Sequence, residues 1–288
     1  MTTRGYLTLA ENTPETDYLR LAYGLALSIK ATQSQNANVS VGVSPSMTIP
    51  KKYKEVFDQV IILPWEDNAE GQSWKLENEW KAYHITPYDE TVKLDSDMLF
   101  LDDISHWWDL LALKDFWATT QVYTYRQHLV TSDYYRKLFT SNELPNIYTA
   151  FMYFKKSELS HQIFEMAELI FQNSEKFFYE FLDESRPKKP STDVVFALAI
   201  KLLDVIDDAT CKFDDLSSPS FVHMKPNVQG WKGIQADNEW YKTIPSILSA
   251  DLNLKVGTHK QVLPFHYVSK TFLTDDIIQK YEYKLGIT

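Results

Sequence analysis

Short runs of strand-forming residues alternate with amphipathic segments along the first hundred residues. The runs that predict β-strands lie at 6–9, 39–43, 60–63 and 91–94. The run at 60–63, Val-Ile-Ile-Leu, is apolar throughout, which predicts a buried strand. Residues 18–30 place apolar side chains on a broad helical face, and residues 80–84 also have helical composition. This succession favours an α/β fold with helices that cross over between neighbouring strands.

The same patterns continue in the second half of the chain. Residues 147–154 predict a further strand, and residues 193–203 predict a buried helix. The sequence has no internal repeat, low-complexity tract or linker that clearly separates two domains. We therefore expect residues 1–288 to form a single domain.

Composition excludes several classes of protein. Hydrophobic residues make up 44% of the 288 residues, so the chain can bury a sizeable core and disorder is not expected. A net charge of -10 argues against non-specific coating of nucleic acid, which relies on cationic side chains. With one cysteine, no secretory signal pattern and no apolar stretch of membrane-spanning length, the protein is expected to be soluble and cytoplasmic.

The candidate chemistry begins at Asp95 and Asp97, which form the only Asp-x-Asp of the chain. Two carboxylates at this spacing can converge on a hard divalent cation where the backbone turns. The alternative is a solvated acidic strand end. Leu94 and Met98, which flank the pair, make free solvation less natural, because burial of two carboxylates is costly without a cation. The position of the pair, just after the strand that ends at Leu94, also favours a binding role, since open α/β sheets bind ligands at the carboxyl ends of their strands.

Two ordered segments resemble the glycogenin-like, family-eight glycosyltransferases. The first is Tyr-Leu-Thr-Leu-Ala-Glu-Asn at 6–12, followed by residues 17–18 and 22–29, and the second runs from Lys81 through 86–88 to 93–104. The sequence is also similar to phage-encoded glycosyltransferases. The resemblance implies a GT-A fold, with a Rossmann-like mixed sheet flanked by helices. It implies a nucleotide-sugar-binding half at about 1–105 and an acceptor half at about 106–288.

The resemblance also implies which side chains meet the nucleotide-sugar. The expected contacts are Leu9, Ala10, Asn12 and Tyr18 for the base and ribose, while Lys81 approaches the nucleotide-sugar and Ser96 is a further binding residue. Each has a simpler alternative: Leu9 and Ala10 as core residues, Tyr18 as a packing residue at a helix start, and Lys81 as a surface lysine.

A late histidine is the expected third metal ligand by the same resemblance, with a lysine after it for the diphosphate. His266 followed by Lys270 is preferred, and His223 is the runner-up. The family usually has glycine and a Lys-Pro-Trp cluster after its histidine, whereas Ser269 precedes Lys270 here. Either histidine could instead be a hydrogen-bonded packing residue. The implied cation is Mn²⁺ or Mg²⁺, bridging the phosphates of the donor.

Asp193 resembles the family aspartate that reaches the donor sugar or the acceptor, and with Lys270 it is the candidate catalytic residue. Asp193 could equally interact with the dipole of a helix N-terminus. The family is associated with retention of anomeric configuration, and we expect front-face attack by the acceptor hydroxyl while the metal and Lys270 stabilise the leaving diphosphate.

Three functions remain open on the sequence. A glycosyltransferase would use a glycan, protein, small molecule or modified DNA base as acceptor, and the acidic charge does not favour nucleic acid. A nucleotidyltransferase or sugar-phosphate pyrophosphorylase would be expected to carry a Gly-rich basic loop after the first strand, but residues 10–18 contain no Gly, Lys or Arg. The third function is non-catalytic binding of a nucleotide-sugar. Oligomeric state is not readable from the sequence.

Overall fold

A mixed β-sheet with helices on both faces organises the protein. The computed structural model describes residues 2–72, 75–130, 136–183, 186–210, 219–224 and 239–287. The strands are β1 (Arg4–Ala10), β2 (Val39–Val43), β3 (Gln59–Ile62), β4 (Glu90–Leu94), β5 (Met98–Leu99), β6 (Phe116–Thr119), β7 (Val122–Tyr123), β8 (Tyr148–Lys155), β9 (Phe221–His223), β10 (Ser246–Leu248), β11 (Leu254–Val256), β12 (His259–Lys260) and β13 (Phe265–His266).

Helices of very different length connect these strands. They are α1 (Tyr18–Thr32), α2 (Lys51–Lys54), α3 (Ala82–Ile85), α4 (Trp107–Leu111), α5 (Lys137–Ser141), α6 (Glu158–Gln172), α7 (Ser174–Phe181), α8 (Thr192–Leu202), α9 (Ile206–Ala209), α10 (Trp240–Thr243) and α11 (Asp275–Leu285). Two 3₁₀ segments, Leu76–Lys81 and Lys270–Phe272, complete the description. In the described part of the chain, no helix combines the length and apolar character that crossing a bilayer requires.

The main sheet has the strand order β3-β2-β1-β4-β8-β6. β1 pairs in parallel with β2 and with β4, whereas β8 runs antiparallel to both β4 and β6. Because α1 connects the parallel neighbours β1 and β2, this part of the sheet has the expected crossover. The predicted α/β class, a Rossmann-like mixed sheet flanked by helices, is confirmed.

Alternation along β1 explains how both faces of the sheet are buried. Tyr6 joins a hydrophobic cluster that includes α1 and α11, while Leu7 and Leu9 join a second cluster built with α6 and α8. Both faces of β1 are therefore apolar, as expected for a strand between two helical layers.

The prediction that residues 60–63 form a buried strand is wrong in part. The strand is present as β3, but among the described strands it lies at the edge of the sheet and pairs only with β2. Val60 and Ile61 are half-buried, and Ile62 is 51% exposed. An apolar run predicts strand conformation, but it does not determine whether a second strand covers the other edge.

A second, four-stranded sheet brings the end of the chain to the Asp-x-Asp segment. Its order is β5-β13-β9-β7, and β13 lies antiparallel to β5 and parallel to β9. In this register His266 pairs with Met98 on one side and with His223 on the other. The sheet thus places both candidate histidines beside the segment that follows β4.

Candidate functional site

Asp95, Asp97 and His266 form a compact group of ligand atoms. The two aspartates lie in the turn between β4 and β5, and His266 is at the end of β13. His266 Nε2 is 3.2 Å from Asp97 Oδ2 and 3.9 Å from Asp95 Oδ2. One ligand atom from each residue lies within 4.8 Å of the others. In the described residues, this is the one His, Cys, Asp and Glu group with metal-binding geometry.

Backbone pairing fixes this convergence. The amide of Tyr267 donates to the carbonyl oxygen of Asp97 at 3.2 Å, which continues the β13–β5 pairing into the turn. On the other side, the amide of Asp95 donates to the carbonyl oxygen of Ala150 in β8 at 3.0 Å. Both aspartates are therefore held by the two sheets, so their side chains project from a rigid turn.

Lys270 lies against Asp97. Its Nζ donates to Asp97 Oδ2 at 2.5 Å, and it also lies 5.4 Å from the ring centre of Tyr18. Burial raises the pKa of Asp97, but the charge of Lys270 and the hydrogen bond from His266 outweigh burial and hold that pKa well below its usual range. Burial lowers the pKa of Lys270, and Asp97 more than offsets this effect, so the net shift is upward. Both groups are charged at neutral pH.

Lys93 forms a buried ion pair with Asp95. This lysine is 1% exposed, and its Nζ forms ion pairs with Glu79 and with Asp95 Oδ1, the latter at 3.0 Å. Burial lowers the pKa of Lys93, but the two carboxylates reverse the effect and raise it. Because Lys93 engages Oδ1, the Oδ2 atom of Asp95 is the one that faces His266. Sequence reasoning gave Lys93 no role, although a lysine within a buried strand was a usable signal.

A cavity of about 600 Å³ opens in front of this group. The predicted residues Leu9, Tyr18, Ser96, Asp95, Asp97, His266 and Lys270 line it. Its other charged lining residues are Glu11, Glu15, Lys75 and Glu79. Five carboxyl groups and two lysines therefore line the cavity, and an accompanying cation would reduce the repulsion between these carboxyl groups and an anionic ligand.

Glu11 forms a second polar centre in the cavity, at the end of β1. Its carboxylate accepts from Asn78 Nδ2 at 2.9 and 3.1 Å and from Ser44 Oγ at 3.1 Å. Glu11 is 3% exposed. Burial raises the pKa of Glu11 to about 7, although the hydrogen bond from Asn78 opposes that rise. Glu11 lies in the family-like segment at 6–12, but no role for it was predicted from the sequence.

This shift predicts a pH-dependent loss of stability. Between pH 4.5 and about 7 the unfolded chain has released a proton that folded Glu11 retains. The free energy of unfolding therefore falls as pH rises through this window, by about 3 kcal/mol at most, and this contribution is constant above it. Glu11→Gln removes this titration. In urea unfolding, the free energy of unfolding of the variant relative to that of wild type should therefore be higher at pH 8 than at pH 4.5. A constant difference between the two proteins would contradict the assignment.

Three of the predicted nucleotide contacts do not line the cavity. Ala10 is fully buried in the core, and Asn12 accepts from the amide of Leu19 and donates to Asp17, so it organises the start of α1. Lys81 is 1% exposed, and its Nζ donates to the carbonyl oxygen of Glu66 at 2.5 Å. The surface alternative for Lys81 is therefore wrong, because the side chain is enclosed. Burial lowers the pKa of Lys81.

Asp193 is also placed away from the cavity lining. It lies in the first turn of α8 and pairs with Arg136 Nη1 at 2.8 Å. Its Oδ1 accepts from the amide of Thr149 at 2.9 Å and from the Thr149 hydroxyl at 2.7 Å. Burial raises the pKa of Asp193, but Arg136 and Thr149 outweigh it and lower that pKa to about 2. Both carboxylate oxygens already have partners, an arrangement that joins α8 to β8. The sequence gave no signal for Arg136.

His223, the runner-up ligand, lies behind His266. Its Nδ1 is 3.1 Å from Nδ1 of His266, and both residues are buried. His223 does not belong to the group formed with Asp95 and Asp97. The two histidines that the sequence presented as competitors are neighbours on paired strands.

Comparison with known proteins gives distant likenesses among solved structures. No family model matches the sequence, and no curated protein matches it. Among solved structures, the chain is similar to the glycosyltransferase GlyE of Streptococcus pneumoniae TIGR4, with 13% identity over 75% of this chain and 46% of GlyE, at a TM-score of 0.44. The chain thus spans less than half of the length of GlyE.

Two further similar structures are also glycosyltransferases. One is mouse xyloside xylosyltransferase 1, with 12% identity over 73% of this chain and 84% of that protein, at a TM-score of 0.44. The other is the galactosyltransferase LgtC in complex with donor and acceptor sugar analogues. It shares 12% identity over 69% of this chain and 70% of LgtC, at a TM-score of 0.42.

Proposed function

We propose that the protein is a single-domain, metal-dependent GT-A glycosyltransferase that transfers a sugar from a nucleotide-sugar, with UDP as the expected nucleotide, to a hydroxyl acceptor. The observation that carries the proposal is the convergence of Asp95, Asp97 and His266 in an acidic cavity beside Lys270. Leu9 and Tyr18, the residues expected to meet the base and ribose, line the same cavity.

The ligand atoms of Asp95, Asp97 and His266 suit a divalent cation. Two carboxylate oxygens and one imidazole nitrogen suit Mn²⁺, and Mg²⁺ is the alternative with a stronger preference for oxygen. Asp97 is 3% exposed and its negative charge is balanced by Lys270 in this structure, a role that a bound cation would take over if Lys270 turned to the diphosphate. Such a cation would neutralise charge that develops on the departing diphosphate.

Lys270 contributes the second positive charge. Its ammonium lies within hydrogen-bond distance of Asp97 and borders the cavity, so a small side-chain movement brings it to a diphosphate oxygen. The ring of Tyr18 beside Lys270 limits where that ammonium can move. We propose that the acceptor hydroxyl attacks the anomeric carbon from the face that the diphosphate leaves, which retains configuration. NMR of the product anomer tests this step, and an inverted product would exclude it.

A donor screen tests the proposed function. Thermal unfolding is measured with UDP-, GDP- and CMP-sugars, each with and without Mn²⁺. At about one hundred times the Kd, a bound ligand adds about 2.7 kcal/mol, which corresponds to an increase in Tm of roughly 5 °C. We expect a UDP-sugar to stabilise the protein only with Mn²⁺. No shift with any donor, for a folded sample, would refute the proposal.

The same samples separate the other candidate functions. A sugar-phosphate pyrophosphorylase would release a sugar phosphate when pyrophosphate is added to the nucleotide-sugar, whereas a glycosyltransferase would release the nucleoside diphosphate. The turn between β1 and α1 contains no Gly, Lys or Arg for a phosphate loop, which favours transfer. A non-catalytic binding protein would bind the donor without transfer or hydrolysis.

A further inference from the structure

His223 and His266 form a buried pair on adjacent parallel strands. The two residues occupy directly opposed positions in β9 and β13, and each is 7% exposed. Their Nδ1 atoms are 3.1 Å apart, and their ring centres are 5.0 Å apart. Tyr148 and Phe221 each contact the His223 ring edge-on, with ring centres 5.8 Å away. The ring of His223 is therefore oriented by packing as well as by its contact with His266.

The contact between the two Nδ1 atoms constrains the protons. Two imidazole nitrogens at hydrogen-bond distance require that one carries a hydrogen and the other a lone pair. The opposite nitrogen of His266, Nε2, lies 3.2 Å from Asp97 Oδ2, a carboxylate oxygen that accepts its hydrogen. A cation that binds between these two atoms must displace that hydrogen. An Nε2 atom that binds a cation must be unprotonated, so a neutral His266 then carries its hydrogen on Nδ1. That hydrogen points to His223 Nδ1.

We propose that His223 is a positioning residue: when a divalent cation replaces the hydrogen on His266 Nε2, His223 accepts the Nδ1 hydrogen of His266 and holds the ring in the metal-binding tautomer and orientation. The inference rests on the proposed metal site and assigns a role to a residue outside it. Partners that hold the second nitrogen of a ligating histidine fix both the ring orientation and the tautomer. Here another histidine supplies that acceptor, since β9 offers no carboxylate at the paired position.

Two substitutions separate the hydrogen bond from simple packing. His223→Asn keeps a side-chain oxygen near the position of Nδ1 and can accept the hydrogen. His223→Leu fills part of the same volume but cannot accept it. His266→Ala removes the ligand itself and serves as the reference for loss of the site.

The experiment measures affinity for Mn²⁺ alone, from the free Mn²⁺ signal in electron paramagnetic resonance. We expect His223→Leu to weaken binding by about 10- to 100-fold and His223→Asn to remain within about threefold of wild type. Circular dichroism and Tm establish that each variant is folded. A folded His223→Leu variant with wild-type affinity would overturn the inference, as would equal weakening by Asn and Leu.

The outcomes distinguish this inference from the proposed function. Failure of wild type to bind Mn²⁺, or equal binding by His266→Ala, would refute the metal site and the inference together. Loss of binding in His266→Ala with no change in His223→Leu would refute the inference alone. If His223→Leu does not fold, ¹⁵N-histidine NMR of wild type with Mg²⁺ decides: we expect His266 to be protonated at Nδ1 only, and a proton at Nε2 would contradict the proposal.

Discussion

Asp97→Asn is expected to lower Mn²⁺-dependent turnover roughly a thousandfold, the largest effect of any single substitution in the site. Asp97 is the most enclosed of the three proposed ligands and the one that both His266 and Lys270 contact. Asparagine preserves the size of the side chain, but it removes the negative charge that faces Lys270 and His266. The cation then loses a charged ligand, and the Lys270 ammonium loses its counter-ion.

Two measurements check this expectation: the rate of nucleotide-sugar turnover and the affinity for Mn²⁺. Both should fall, while Tm changes little, because Lys270 is partly exposed and its ammonium can turn to solvent. Asp251→Asn is the matched control, since Asp251 is exposed and does not line the cavity. Turnover of Asp97→Asn within threefold of wild type would contradict the assignment of Asp97.

Lys270→Met should change two affinities in opposite directions. The Lys270 ammonium lies 2.5 Å from Asp97 Oδ2, the same oxygen that faces His266 Nε2. A cation that binds this oxygen must compete with the ammonium and is repelled by it. Removing the ammonium should therefore strengthen binding of Mn²⁺ alone by several-fold. Binding of UDP in the presence of Mn²⁺ should weaken by about 10- to 100-fold, since a charge-assisted hydrogen bond to the diphosphate is lost.

Isothermal titration calorimetry measures both affinities on the same protein. Lys280→Met is the control, because Lys280 pairs with Asp276 on α11 and does not line the cavity. Methionine keeps the apolar stem of lysine, so packing beside Tyr18 is largely preserved. If Mn²⁺ and UDP affinities both fell in parallel, Lys270 would be a structural partner of Asp97 and not a diphosphate ligand.

Local patterns predicted most of the main sheet but not the second one. The strands at 39–43 and 91–94 and the helix that begins at Tyr18 were identified because their apolar periodicity is strong. Strands β5 and β13 have two residues each, too few for any periodicity. Their pairing joins positions far apart in the sequence, and only the folded chain determines it.

The residues of the candidate site were likewise predicted only in part from the sequence. Asp95, Asp97 and His266 were proposed from a motif and a resemblance, and the structure brings them together. The buried ion pairs of Lys93 with Glu79 and of Arg136 with Asp193 were not predicted, since they depend on contacts between distant elements. The resemblance favoured His266 over His223, and the structure groups His266 with the two aspartates. Local periodicity gave no reason for that choice, because both histidines end short strands of one sheet. Strand order decides which ring faces the carboxylates, because β13 lies next to β5 and β9 lies on the far side of β13.

Anomalous diffraction from a crystal grown with Mn²⁺ and UDP is the most direct test of the central claim. Data collected at the manganese absorption edge locate the cation without reference to activity. We predict one strong peak in contact with Asp95, Asp97 and His266, with the diphosphate of UDP beside it and Lys270 turned from Asp97 to a phosphate oxygen. UDP bound in the cavity with no manganese peak at these three residues, or manganese bound elsewhere, would contradict the account.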